Sequence, residues 1–344
     1  MKYLLGSKKE FLDFLSNIRK KDKITILAHN DLDGLAATLF LEKILATRKI
    51  KANFIEFLGH HKEVLEEMTK KLIKNKISKV FFLDFSVDLG YLKDFEKFRK
   101  KFDTFLIDHH PINPNLKNKK GMIKTESNDC TALTLYDLAK DFFNVASLDW
   151  LACVAIVAEW SYKNPENMKF LQERYPGITD KNYENSEPGK TYMRIEAGLR
   201  YYKKDLKKVY GFIKDKNLES LKKIQKIIDS EIEKGMKEYK EKAEFYPEKN
   251  LYFAYFTPKF DLSSPLLTIL SKKEPFTTFV LVSDREKDLR LNLRNQESGK
   301  DMNVLVQKAI KGLKDGVSGG HFNAAGGSIQ KEDVEKFKEN LLKD

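Results

Sequence analysis

Acids and histidines recur in this sequence at the ends of short apolar runs. The first run is Ile24-Thr-Ile-Leu-Ala, and it leads into His29-Asn-Asp31-Leu-Asp33-Gly34. In an extended chain alternate side chains share a face, so His29, Asp31 and Asp33 are expected to project together. Asp-, Asn- and Gly-rich stretches also make solvated turns, so this segment alone leaves both readings open. The rest of the chain decides between them. Val80-Phe-Phe-Leu runs into Asp84, and Phe102–Ile107 runs into Asp108-His109-His110-Pro111. Three strand ends bring acids and imidazoles to one edge, which turns would not do repeatedly.

Carboxylates and imidazoles at close range suit a pair of divalent cations. Asp84 has two oxygens and could serve both ions. Such a pair clamps the attacking and leaving oxygens of a phosphodiester and lowers the pKa of a water. A mixed His and Asp set without thiolates fits Mn²⁺ better than Mg²⁺, and Zn²⁺ stays open. Asp108 suits a supporting role, accepting the ring N–H of an imidazole and orienting it. In an extended chain His110 projects opposite to His109, toward a phosphate or a leaving oxygen. His60-His61 follows Gly59 with no strand-end acid beside it and reads as a loop or surface feature. Gly319-Gly320-His321 offers a second phosphate-binding element, since glycines admit an anion close to the backbone. Arg294 could add a bidentate contact. Taken alone, the Gly-Gly-His run reads as a tight turn.

The elements that must position these residues alternate between strand and helix. Residues 8–20 have helical spacing. Strands are expected at 24–28, 52–57, 80–83 and 102–107. Helices are expected at 35–46, starting just after Gly34, and at 64–74, 92–98, 132–141 and 148–160. This alternation predicts a mostly parallel open sheet, whose sites lie outside the carboxyl ends of the strands. Residues 162–190 carry Pro165, Pro176, Gly177, Pro188 and Gly189 and read as irregular connection. Residues 191–212 are basic and aromatic, either a solvated helix with inward-packed aromatics or a nucleic-acid track. Residues 218–243 show one apolar face of a long helix. A second α/β pattern begins at Asn250, in which Asp288–Arg294 alternates as a half-buried strand and residues 332–342 close as a helix.

A chain of 344 residues suggests two domains, and 41% hydrophobic residues suffice for real cores. The net charge of +12 favours a polyanionic partner such as nucleic acid. Two cysteines, Cys130 and Cys153, exclude a disulfide framework and a cysteine-rich zinc site. No signal peptide and no apolar run of spanning length is evident, so a cytoplasmic protein without membrane contact is expected.

The ordered motifs resemble those of the DHH phosphoesterase superfamily: His29-x-Asp31-x-Asp33-Gly34, then Asp84, then Asp108-His109-His110. The Arg294 strand and Gly-Gly-His-x-x-Ala-Ala-Gly at 319–326 resemble its associated DHHA1 domain. The resemblance implies an N-terminal α/β DHH domain with a mostly parallel sheet flanked by helices (1–165). An insertion and helical linker (166–249) and a smaller C-terminal α/β DHHA1 domain (250–344) follow, with the active site in the interdomain cleft. It implies two Mn²⁺ ions, one on His29, Asp31 and Asp84, the other on Asp33, Asp84, His109 and a fourth-motif acid. That acid is usually Asp. Here Glu159 stands in its place, with Asp149 as a fallback too early in the helical stretch. Asp84, His110 and Asp108 are then the catalytic candidates, and Arg294, Gly319, Gly320 and His321 the substrate-binding ones.

Within the superfamily, charge and length resemble archaeal RecJ-like exonucleases. The implied activity is release of 5′-mononucleotides from single-stranded DNA or RNA, with 3′→5′ polarity, in DNA repair or replication. The implied partners are a repair or replication protein such as a helicase, with homo-oligomerisation left open. An oligoribonuclease or cyclic-dinucleotide phosphodiesterase is the alternative. An inactive scaffold like the RecJ-related subunit of the eukaryotic replicative helicase is the third reading, though such a protein would be expected to lose ligands.

Overall fold

The computed structural model describes residues 2–343. The chain divides into two compact units, one ending at Ile224 and the other beginning at Gln225. In the first unit the strands are β1 (Tyr3–Leu5), β2 (Ile24–His29), β3 (Phe54–Leu58), β4 (Lys79–Leu83), β5 (Asp103–Asp108) and β6 (Met122–Thr125). Its main helices are α1 (Lys8–Ser16), α2 (Leu32–Thr47), α3 (Val64–Lys74), α4 (Val87–Gly90), α5 (Leu92–Arg99), α6 (Thr131–Ala139) and α7 (Asp149–Ala158), then α8 (Pro165–Arg174), α9 (Glu187–Tyr201) and α10 (Leu206–Lys214).

The sheet order is β1-β6-β5-β4-β2-β3. β2 through β6 are parallel, and β1 closes one edge antiparallel to β6. Strand alternation feeds two cores. Ile24, Ile26, Phe81, Leu83, Phe105 and Ile107 face α1, α2, α6 and α7. Leu27, Val80, Phe82 and Leu106 face α3 and α5. Burial on both faces explains why these strands read as near-continuous apolar runs. From β2 the chain goes first to β3 on one side and then to β4 on the other. The carboxyl ends of β2 and β4 therefore flank the point where the strand order reverses, the place where open α/β sheets leave a crevice.

One expectation is corrected here. Residues 162–190 are irregular only between the helices, because Pro165 and Pro188 sit in the first turns of α8 and α9, capped by Asn164 and Ser186. Proline lacks only an N–H that the first turn leaves unpaired anyway, so there it starts a helix rather than breaking one. Leu171 of α8, with Ile195, Val209 and Leu221 further along the chain, joins the same core as α2. Of the two readings of 191–212, inward packing holds for most of the aromatics: Tyr192, Tyr202 and Phe212 pack against this core while Tyr201 stays exposed, and Tyr210 is buried with its hydroxyl donating to Glu42 at 2.6 Å.

The division between the units falls inside the 24-residue helix α11 (Glu219–Lys242). The second unit adds β7 (Glu244–Tyr246), β8 (Leu251–Tyr255), α12 (Ser263–Lys273), β9 (Thr278–Asp284), β10 (Leu289–Arg294), α13 (Met302–Ala309), β11 (Val317–His321), β12 (Ala324–Ile329) and α14 (Val334–Lys343). Its sheet order is β11-β12-β10-β9-β8-β7, mixed, with only β8 and β9 parallel. Leu289, Leu291 and Leu293 turn one face of β10 into the core against Met302, Val306 and Phe337. No described helix is long and apolar enough to cross a membrane.

Candidate metal centre

The first motif is not extended throughout, as its sequence suggested. β2 ends at His29, and α2 begins three residues earlier than expected, at Leu32. Asp31 is the N-cap, its Oδ1 accepting the Gly34 N–H at 3.0 Å. An Asp in that position satisfies an otherwise orphaned helix donor. Gly34 is required sterically, since a Cβ there would sit 2.3 Å from the His29 carbonyl oxygen. Asp33, in the first turn, is fully buried and points to α6, where its two oxygens accept the N–H groups of Thr131 and Ala132 at 2.7 and 2.8 Å.

Asp84 follows β4 in the left-handed region (φ 54°), uncommon for a residue with a Cβ. Its N–H donates to the Ile107 carbonyl at 2.9 Å, and the Thr131 hydroxyl donates to its Oδ1 at 3.1 Å. The backbone turn is thus held from two sides, as strained functional positions must be. Asp84 Oδ2 lies 3.7 Å from His29 Nδ1, and Asp84 Oδ1 lies 3.3 Å from His109 Nε2. His29 Nδ1 is 2.5 Å from Asp31 Oδ2, and His109 Nε2 is 4.0 Å from Glu159 Oε2. Two groups result: His29, Asp31 and Asp84, and Asp84, His109 and His110, each offering ligand atoms within 4.8 Å of one another. Asp84 belongs to both.

His110 therefore does not point away from His109. β5 stops at Asp108, so the period-2 alternation has ended, and the two rings lie 4.6 Å apart. Asp108 Oδ1 takes the Nδ1 of His110 at 2.7 Å, the orienting contact expected of it. Behind it lies a feature the sequence reading missed. Lys124 is fully buried, its Nζ 2.6 Å from Asp108 Oδ2 and 2.8 Å from Asp88 Oδ1, and it also donates to the His110 carbonyl at 3.2 Å. Asp149 does not reach the centre; it accepts from Tyr136 and Arg174. Glu159 caps the end of α7 and is followed by Trp160, half exposed and left-handed.

The electrostatics fit a cation-binding site. Burial alone would push the His29 and His109 imidazoles down. Asp31 and Asp84 reverse this for His29, raising it to about 11, and Asp84 with Asp33 raises His109 to about 10. Burial opposes ionisation of Asp84, yet His109 and His29 hold it well below the usual carboxylate range. Burial, then Asp31 and Asp84, pushes Glu159 up to about 8, while burial, then Asp84 and Glu159, holds Asp33 well above the ordinary range. Without metal the centre holds protons where ligands must be free of them. His29 Nδ1 and His109 Nδ1 are also buried without a hydrogen bond. His29 Nδ1 stands 2.5 Å from a carboxylate oxygen, but without the angle for a bond. The orphaned His29 Nδ1, between the Asp31 and Asp84 carboxylates, is what a divalent cation would satisfy.

The second unit carries the other candidates. Across the paired strands, Arg294 stands opposite Ala324 and Ala324 opposite His321, so Arg294 and His321 share one face of the sheet. Gly319, Gly320 and His321 lie in strand β11 rather than in a loop. Gly320 (φ 152°) passes so close to Ala325 that a Cβ would meet its Cα at 2.5 Å, and only glycine permits that hairpin. A cavity of about 580 Å³ lies on this face, lined by Arg285, Arg290, Asn292, Arg294, Gly319 and Gly326 among others. Arg290 is paired with Asp261, whereas Arg294 donates to Ser264 Oγ and to main-chain oxygens.

The model for the DHH family, N-terminal domain, matches residues 23–176, and that for the DHHA1 domain matches residues 255–343. The chain belongs to the DHH family. This DHH protein has a RecJ-like fold: a crystal structure of exonuclease RecJ bound to manganese aligns with a TM-score of 0.72 at 15% identity, covering 97% of this chain and 92% of that one. CDC45 from Entamoeba histolytica aligns with a TM-score of 0.52 at 11% identity, over 97% of each chain. The uncharacterized protein MJ0831 of Methanocaldococcus jannaschii is 26% identical over 225 residues, 58% of this chain. That match spans about half of the relative, 49% of its length.

Proposed function

We propose that this DHH protein is a two-metal phosphodiesterase that removes 5′-mononucleotides from single-stranded nucleic acid, with Mn²⁺ as its cation. The observation that carries the proposal is the placement of Asp84, one oxygen toward His29 and the other toward His109. His29, Asp31 and Asp84 would hold one cation, and Asp84, His109, Asp33 and Glu159 the other. Two such cations supply Lewis acidity at a phosphodiester and a water acidic enough to attack phosphorus. Asp33 already spends both oxygens on the amino end of α6, so its share in the second site uses their remaining lone pairs.

The protein's own groups do the rest. Asp108 fixes the Nδ1 of His110, which leaves Nε2 to hold or deliver a proton at a phosphate or leaving oxygen. Arg294 and His321 present donors to the substrate backbone from one sheet face, and the glycines of β11 let a phosphate approach the main chain. The 3′→5′ polarity, a role in repair or replication and a helicase-type partner rest on the family resemblance. The full ligand set argues for an enzyme rather than a scaffold of the same fold.

The test is digestion of end-labelled single-stranded DNA and RNA with Mn²⁺ by wild type and Asp84→Ala. Loss of hydrolysis in the variant is expected, and full retention refutes the metal centre. A rate that collapses beyond a few nucleotides and responds little to salt would instead indicate an oligonucleotide or cyclic-dinucleotide phosphodiesterase.

A further inference from the structure

His60, unremarkable in the sequence, lies against the metal centre. β3 ends at Leu58, and Gly59-His60 continue over the carboxyl edge of the sheet. Gly59 passes so close to the first motif that a Cβ would come 2.9 Å from Asn30 Nδ2. The His60 ring lies flat on Phe85, with centroids 4.5 Å apart and planes 9° from parallel. The Tyr91 ring is parallel to it within 2°, and the Tyr91 hydroxyl is 3.2 Å from His60 Nδ1. Phe85 is fully buried and directly follows Asp84. The His29 ring stands beside the stack, 5.3 Å from His60 and 6.2 Å from Phe85.

One face and one edge of His60 are thus fixed by aromatic neighbours, yet the residue is exposed. Among the described residues, no ring stacks parallel on its other face and Nε2 has no hydrogen-bond partner. A surface imidazole held in one orientation beside ligating residues offers a flat, oriented π-face. Proteins that bind single strands stack bases on such rings, and His is among the residues they use.

We propose that His60 is a stacking platform for the base of a nucleotide next to the scissile phosphate, so that Phe85, His60 and the base form one continuous stack. This rests on the proposed function and adds to it a base contact that tolerates any sequence. The ring lies at the edge of the His29 group, so the base it would stack belongs to a nucleotide beside the scissile phosphate.

The test compares wild type, His60→Ala and His60→Phe on matched oligonucleotides with all bases present or with an abasic residue at either of the last two positions. His60→Ala is expected to raise KM by about 5- to 150-fold, as loss of one base–aromatic stack does, with the change in KM rather than kcat. His60→Phe should recover most of that loss. The penalty of His60→Ala should vanish on one of the abasic strands. Unchanged KM in His60→Ala, a His60→Phe variant as weak as Ala, or a penalty that persists on both abasic strands would overturn the proposal; the last two would mark His60 as a hydrogen-bond donor. Anisotropy with a labelled oligonucleotide under non-hydrolysing conditions should rank the variants identically. Stacking therefore remains testable if the hydrolytic reading fails, and a failure of stacking leaves Asp84-dependent hydrolysis untouched.

Discussion

Replacing Lys124 by Met leaves the side-chain volume nearly unchanged and removes one charge from a closed group. Lys124 Nζ is shared by Asp88 and Asp108, and all three side chains are fully buried. Without it two carboxylates stay in the interior, and only Asp108 keeps a cationic neighbour, His110. Removing one partner of a buried pair costs about 3–5 kcal/mol, because the remaining charge is uncompensated. In a first unit of this size that corresponds to a fall in Tm of about 6–20 °C. Both tryptophans, Trp150 and Trp160, lie in that unit, so tryptophan fluorescence during urea or thermal unfolding reports on it. Lys124→Met/Asp88→Asn removes the stranded carboxylate along with the lysine. It should be more stable than Lys124→Met alone by at least about 1 kcal/mol, a normal coupling for touching residues. Hydrolysis should also fall, by about 10- to 100-fold, because Asp108 then holds His110 less firmly. A Lys124→Met protein within about 1 kcal/mol of wild type, or a double variant no better than the single, would refute the reasoning.

Other predictions follow from the same geometry. Asp84→Asn should lower Mn²⁺ affinity by more than about 100-fold, the upper end for loss of a merely supporting contact, as measured by calorimetry. The raised pKa of Glu159 (4.5 to about 8), His29 (6.5 to about 11) and His109 (6.5 to about 10) means the metal-free folded state binds extra protons between each pair of values. That stability is complete at the acid side and is lost as pH rises through the folded values, while depressed Asp84 contributes stability lost only on acidification. The metal-free Tm should therefore decline from about pH 6 to about pH 9, and Mn²⁺ should raise it most at the alkaline end, where it competes with fewer protons. Scanning fluorimetry checks this, and a metal-free Tm that rises over that interval contradicts it. Arg294→Ala should weaken single-strand binding and reduce the slope of log K against log salt by about 0.7, one phosphate contact fewer.

Much of the candidate centre was legible because His29, Asp84, Asp108 and His109 sit where strands stop, whereas Glu159 sits at the end of a helix. Apolar runs mark the strands, and the acids and histidines that follow them fall at one edge of a parallel sheet. What escaped depended on partners distant in sequence. Lys124 is one of 63 basic residues, and only its position inside Met122-Ile-Lys-Thr, a four-residue strand reading as buried, could have singled it out. β1 was too short to register as a strand, and β6 follows the lysine-rich Lys117–Lys120 stretch and itself carries Lys124. His60 has no acidic neighbour, and it was the sheet, bringing Phe85 beneath it, that made it part of the site. The extended reading of 29–33 failed at Asp31, where a helix cap outweighed strand continuation.

The carboxylate of Asp33 gives the molecule a built-in gauge. It accepts the main-chain N–H groups of Thr131 and Ala132, and a helix offers no internal acceptor to amides in its first turn. Protection of those two amides against deuterium exchange is then governed by the state of one side chain. A cation drawing electron density from Asp33 should loosen both bonds, and a proton on Asp33 should do the same. At a pH high enough to keep the metal-free Asp33 ionised, the exchange rates of two backbone hydrogens would thus read out occupancy of the centre, without substrate, label or turnover.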